Sequence, residues 1–436
     1  MNNPKISPID KIVSPVQRFM RQEKSGGIVL GISVILALVL ANSAWSESYF
    51  LLFEHKFGFR FDGETWLEYD LLHWINDGLM AIFFFVVGLE LKREAVGGEL
   101  SEPRKALLPI GAAVGGMIVP ATLFFILNSS GEASRGWGIP MATDIAFSLG
   151  VLYLLGDRVP LSLKVFLTAL AIVDDLGAVL VIAFFYTSDI YVVNLLIGFV
   201  FITTMYAGNR LGVRNILFYA ILGIGGVWTA FLLSGVHATI ASVAAAFTIP
   251  ADVKIDGHTF VAKIQNYLTR FKAITPNGKP TLSEDQVYLL ERVRQNTNAA
   301  MPPLQRLEHA MHPFVIFVIV PIFALANAGV SLQVDAESLF STHIAIGAGV
   351  GLLCGKFIGV VGATLLMVKL KIARFPAGMT VKNLCGLGFL TAIGFTMSLF
   401  ITSLAFSTPE HILQAKIGIF MASIIGGITG YMILRK

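Results

Sequence analysis

The chain has 436 residues, of which 55% are hydrophobic and 14% charged, with a mean hydropathy of +0.74. That composition lies outside the range of soluble globular proteins and defines an all-α polytopic membrane protein. A net charge of +4 gives no reason to expect a nucleic-acid partner, and the two cysteines, Cys354 and Cys385, both in apolar runs, suggest neither a disulfide framework nor a thiolate metal site.

In chain order, residues 1–25 form a basic segment ahead of the first apolar run, 26–44, which ends in "ANSA". This run resembles a signal peptide, but at about 19 residues it is long enough to span a bilayer and is read as retained. The 45–70 stretch holds "KFGFRFDGETWLEY", where Phe57, Phe59 and Phe61 alternate before Asp62-Gly63, a dipeptide suited to a type I′ turn. A periplasmic β-hairpin is expected there, with open edges that pair with a second subunit in a homodimer. Apolar runs follow at 71–91, 106–127, 137–155, 161–186, 193–208, 216–232 and 234–249. A long polar loop, about 250–308, contains "SEDQVYLLERVRQ", a helix with Ser283 as cap and Gln286 in the capping-box position. The last runs are 312–329, 344–367, 384–406 and 412–434, twelve in all, so residues 26–436 form one membrane domain. Placing the N-terminus and every second loop on one side gathers 27 of the 32 basic residues there. The positive-inside rule then puts both termini in the cytoplasm.

Within the 161–186 run stands "AIVDDLGAV", with Asp174 and Asp175 in mid-segment. Each central Asp costs about 2.5 to 3.5 kcal/mol on an insertion scale, against about 0.3 to 0.6 returned by each Leu, Ile, Val or Phe. The thirteen such residues from Val165 to Tyr186 are largely cancelled by the pair. Acids at that depth face a cavity or a partner and mark an ion path. Asp144 interrupts "GIPMATDIAFSLG" and Lys356 interrupts "GVGLLCGKFIGVVG". Gly136, Gly138 and Pro140 precede Asp144, and Gly386, Gly388 and Gly394 punctuate the 384–406 run. Two discontinuous crossing helices are expected, the middle members of trios 106–186 and 344–434 in inverted orientation. Asp144 suits the positive N-terminal ends of the broken helices, and Lys356 the negative C-terminal ends.

A small hard cation such as Na⁺ or Li⁺ takes carboxylate, hydroxyl and carbonyl oxygens, and buried acids bind either it or protons. Adjacent residues on a helix point about 100° apart, so one acid can face the ion and the other a partner. An intramembrane aspartyl protease needs acids on different helices and a "GxGD" motif, which is absent. A sodium-coupled symporter and a membrane interaction protein remain as alternatives on residue pattern alone.

Six stretches, "GLELKREAVGGEL", "GIPMATDIAFSLGVL", "KVFLTALAIVDDLGAVLVIAFFYT", "LSGVHATIA", "LEHAMHPFVIFVIVPIFALANAGVSL" and "LTAIGFTMSLFITSLAF", resemble the motifs of NhaA-type bacterial sodium/proton antiporters, in family order from Ser25 to Arg435. The resemblance implies a secondary transporter of the inner membrane rather than an enzyme, moving Na⁺ or Li⁺ against protons without a cofactor. It implies that Asp175 is the principal cation ligand and Asp174 a proton carrier paired with Lys356, and that Asp144 and Thr143 lie at the broken-helix crossing. It further implies electrogenic exchange activated at alkaline pH. A pH-sensing cluster maps onto Glu90, Arg93, Glu94, Glu308, His309 and His312, with His237 a further candidate; the alternative is a solvated cluster at the membrane edge. Asp77 is a candidate for the periplasmic path, or a solvated helix end. Two departures stand out: "GKFIG" lacks the proline expected after the lysine, which puts the helix geometry at Lys356 in doubt, and the 250–302 loop is longer than in the best-known members, which bears on pH regulation.

Overall fold

The computed structural model describes residues 25–61, 64–187, 190–274, 281–331 and 343–435. The expected segment 1–25, save Ser25, and the Asp62-Gly63 turn lie outside these residues. The chain is mostly helical. A short helix, α2 (Ser46–Glu54), leaves α1 (Ser25–Ala41) at a 111° bend. The sequence places this stretch in the hairpin region, but burial of Tyr49 and Phe53 and a 2.5 Å bond from the Tyr49 hydroxyl to the Leu325 carbonyl fold it as a helix against the core.

The hairpin itself forms as expected, β1 (Lys56–Phe61) antiparallel to β2 (Glu64–Asp70) with Phe61 opposite Glu64. An extra residue on β2 shifts the register between Phe57 and Phe59, and Leu67 takes a positive φ of 55° there, the mark of a bulge.

Ten further elements follow through the membrane-type region: α3 (Leu71–Gly97), α4 (Pro103–Leu127), the broken α5, α6 (Leu161–Phe185), α7 (Val192–Arg210), α8 (Ile216–Leu232), α9 (Ala238–Thr248), α12 (Pro303–Asn327), α13 (Ile344–Lys369) and the broken α14; α15 (Pro409–Arg435) closes the chain. In α5 a 3₁₀ half, α5a (Glu132–Met141), precedes α5b (Ile145–Leu154), and in α14 a 45° bend separates α14a (Val381–Leu390) from α14b (Phe395–Ala405). Every apolar run of the sequence therefore becomes a helix or a broken pair. Among the described residues, however, eight helices are long and apolar enough to cross a membrane, or up to ten if each bent pair is one span. The helices α8 and α9 are shorter, and the eleven residues of α9 rise only about 16 Å against a core of about 30 Å.

The long loop is a two-helix arm rather than one helix in a coil. Ser283 caps α11 (Glu284–Ala300) with the reciprocal Gln286 bond in place, as the capping-box spacing predicts. A helix that the sequence reading left unassigned, α10 (Gly257–Ala273), starts at the Asp256 cap. The arm ends at 302, because Pro303 already begins α12.

Apolar packing divides into two cores. The larger joins α1 to α6 and α12 to α15, with Val243 of α9, through residues such as Phe84, Phe124, Leu170, Phe323 and Phe400. The smaller joins α3, α7, α8, α9 and the start of α12, through Leu89, Met205, Tyr219, Phe231 and Leu304. Glycine sets the closest approach in the larger core. A Cβ on Gly355 would lie 2.6 Å from the Pro120 Cα, and one on Gly359 2.7 Å from the Gly115 carbonyl carbon, so α13 and α4 meet backbone to backbone. Lys356, between these glycines, is thereby carried into the interior. The glycines named as helix breakers act differently: Gly386 and Gly388 sit inside α14a, where they pack on Leu434 and Val361, and the break falls at 391–394.

Candidate functional site

The two breaks meet. The Asp144 backbone N–H donates to the Ile393 carbonyl at 2.7 Å. Asp144 Oδ1 caps α5b by accepting from the Phe147 N–H at 2.9 Å, while Oδ2 accepts the N–H and hydroxyl of Thr396, at 3.0 and 2.5 Å, in the first turn of α14b. One buried carboxylate thus closes the N-terminal ends of both broken helices, as their dipoles demand.

The C-terminal ends are closed without Lys356. Ser148 donates to the Leu390 carbonyl at 3.0 Å and Ser398 to the Ile139 carbonyl at 2.8 Å, each hydroxyl reaching across to the other helix. Sequence reasoning missed both serines. Their signal was a shared spacing, since Ser148 and Ser398 each stand four residues past a break, at Asp144 and Gly394.

Lys356 instead donates to Asp174 Oδ2 across the interface between α13 and α6. Its expected place at the helix ends is corrected: hydroxyls satisfy those carbonyls, and the lysine neutralises a carboxylate. The doubt raised by "GKFIG" also resolves locally, because a π-helical turn at Gly351–Gly355 re-aims the helix just before Lys356. Thr143, in the extended link of α5, donates to Asp174 Oδ2 at 2.7 Å and lies 3.1 Å from the Thr391 carbonyl.

Asp174 and Asp175 have no exposed surface. Among the described residues, Asp174 keeps one oxygen, and Asp175 both, without a hydrogen-bond partner. Asp175 borders the inner end of a cavity of about 480 Å³, together with Asp144 and Thr396. The cavity follows α3 from Phe83 to Arg93, about 15 Å, and α6 from Thr168 to Asp175, about 10 Å. Glu90, Arg93, Glu308 and His312 line its other end.

Most of the expected pH cluster does assemble at that mouth. Arg93 bonds Glu308 and, at 3.0 Å, Glu94, while His312 Nε2 lies 3.8 Å from Glu90. Glu94 also accepts the Glu99 N–H at 3.0 Å, and His309 is exposed beside the buried Glu308. His237 does not join them. Its Nε2 sits 2.8 Å from the Tyr186 carbonyl at the far end of α6, about 27 Å along the helix from Thr168. Asp77 lies toward that far side too, in a π-helical turn (Trp74–Leu79), 3.1 Å from His73 Nε2. Neighbouring Asn76 accepts from Asn327 at 2.8 Å.

A polytopic membrane protein whose two broken helices cross at buried, partly unpartnered carboxylates belongs to the class of secondary transporters. Residues 17–434 match the family model described as Na+/H+ antiporter 1. The chain is 50% identical over 429 residues to the Na(+)/H(+) antiporter NhaA of Oleidesulfovibrio alaskensis, covering 98% of this chain and 95% of that one. It is 47% identical to NhaA 2 of Syntrophotalea carbinolica, with 97% and 96% covered, and 46% identical to NhaA 1 of Saccharophagus degradans, with 98% and 92% covered. The chain belongs to the NhaA family of Na⁺/H⁺ antiporters; it is a transporter, not an enzyme.

Proposed function

We propose that the chain exchanges cytoplasmic Na⁺ or Li⁺ for external protons, with Asp175 as the ion's principal ligand. The observation that carries this is the charge balance of the buried site. Asp174 is offset by Lys356, and Asp144 is spent on two helix ends, so Asp175 is left as one carboxylate with both oxygens free at the end of a cavity. A charge so placed requires either a proton or a metal cation. The same site therefore binds the two in competition, and exposure to each side in turn makes the exchange.

Asp174 and Lys356 supply the second proton step. An ion that draws on the free Asp174 oxygen weakens the ion pair, so that Lys356 gives up its proton to the side from which the ion binds; with the Asp175 proton, two protons are displaced for one monovalent ion, which makes the exchange electrogenic. The Glu90, Arg93, Glu94, Glu308, His309 and His312 group at the cavity mouth fits a pH sensor that activates exchange at alkaline pH, and Asp77 fits the external path. The crowding of basic residues on the face where α3 ends and α6 and α12 begin supports a cytoplasmic orientation of that mouth, with both termini on the same side of the inner membrane. Twelve crossings in inverted repeats and a homodimer through the hairpin complete the proposal.

The direct test is proton release on cation binding. Adding Na⁺ or Li⁺ to purified, weakly buffered protein should release protons, and Asp175→Asn should release none. Release that survives in Asp175→Asn would move the ligand elsewhere.

A further inference from the structure

A second concavity faces lipid rather than the ion path. A groove of about 790 Å³ runs between α1, α5b, α14 and α15, and its lining side chains are apolar except for Ser423, Tyr431 and Arg435. Arg435 is exposed at its end, on the basic face of the chain, and the sequence adds Lys436 beside it. From Arg435 the α15 wall passes Met432, Ile428 and Ser423 to Ile417, a rise of about 27 Å, and its stretch from Arg435 to Ser423, about 18 Å, matches the roughly 15 Å of one leaflet's hydrocarbon. Along this length the groove is apolar and carries its one charged side chain at the basic end. It fits flexible hydrocarbon.

We propose that this groove binds the acyl part of an anionic phospholipid, whose phosphate sits on Arg435. Arginine at the membrane's basic face holds a phosphate by paired N–H donors, and basic pockets between membrane helices select anionic headgroups. The floor of the groove gives the site its consequence. Ile393 and Phe395 flank Gly394 at the α14 break, and Phe147 supplies one of the N–H groups on Asp144. The bound chain presses on the back of the crossing, while α1 contributes Val34 to the opposite wall.

Native mass spectrometry of the purified full chain, offered equal phosphatidylglycerol and phosphatidylcholine, tests this independently of transport. Wild type should retain one phosphatidylglycerol with several-fold preference. Arg435→Gln should lose the preference and keep retention. Gly427→Leu should lose retention of both lipids, because a Cβ there points to Ile393 at 3.4 Å and the added side chain fills the groove. Ile428→Trp, at a position 52% exposed, fills the same space from the rim and guards against a folding defect in the first variant. Equal, non-selective retention by all four proteins would mean annular lipid only and overturn the site. A lower dimer fraction in the two groove-filling variants with lipid retention unchanged would assign the groove to a second copy instead.

Discussion

Asp174 and Asp175 are neighbours with opposite tasks, and helix geometry is the reason. The turn of about 100° between them aims Asp174 at Thr143 and Lys356 and leaves Asp175 on the cavity. Removing one partner of a fully buried ion pair costs about 3 to 5 kcal/mol, since the other charge stays behind. Lys356→Ala is therefore expected to lower the unfolding temperature markedly, and the double variant Lys356→Ala with Asp174→Asn to recover much of it, read by thermal unfolding in detergent. If the double variant is as unstable as the single, the pair is not what holds α13 to α6. At this scale the sequence was informative where cost is local: two acids inside an apolar run announce themselves. The residue pattern alone was uninformative for Lys356, whose partner lies 182 positions away and was named only by the family resemblance, and for His237, which shares a residue type with the cavity-mouth group but stands at the other end of α6.

Elements carry the next lesson. The capping box at Ser283 and the hairpin were legible because their signals lie within a few residues. The π-helical turns in α3, α8, α12 and α13 were not, since no local residue pattern marks the one extra residue in such a turn. Gly386 and Gly388 looked like helix breakers and serve as contact points inside α14a instead, as the glycines of α4 and α13 do between those two helices. Gly355→Leu should cost about 1 to 3 kcal/mol through overpacking on Pro120, seen as a lower unfolding temperature and reduced membrane yield; an unchanged protein would show that the two helices can separate. In the arm, the Thr259 backbone N–H holds the Asp256 carboxyl below the usual carboxylate range. A carboxyl so lowered stabilises α10 above its ordinary pKa of about 3.9, and the contribution fades as pH falls through the lowered value. The protection factor of the amides at residues 257–260, which removes the intrinsic pH dependence of exchange, should fall at the acidic end of that window in wild type but stay flat with pH in Asp256→Asn. Equal pH dependence in the two would remove Asp256 from the cap.

For the whole molecule, composition gave the membrane and loop charges gave a single basic face, and both properties sum over many residues and so survive without coordinates. The division into two apolar cores did not show, because helices adjacent in sequence, such as α6 and α7, fall into different cores. The dimer proposed above rests on the two open edges of the hairpin. Deleting residues 56–69 should raise the monomer fraction in detergent while exchange persists in each chain; an unchanged oligomer would place the dimer contact elsewhere. The central claim, that one carboxylate alternates between a metal cation and a proton, is tested most directly in everted membrane vesicles. Na⁺, Li⁺ or K⁺ is added to a respiration-driven proton gradient at acidic and alkaline pH, with wild type and Asp175→Asn at matched membrane levels. The account predicts collapse of the gradient by Na⁺ and Li⁺, stronger at alkaline pH, absent with K⁺ and absent in the variant. No response in wild type at any pH, or an undiminished response in Asp175→Asn, would contradict it.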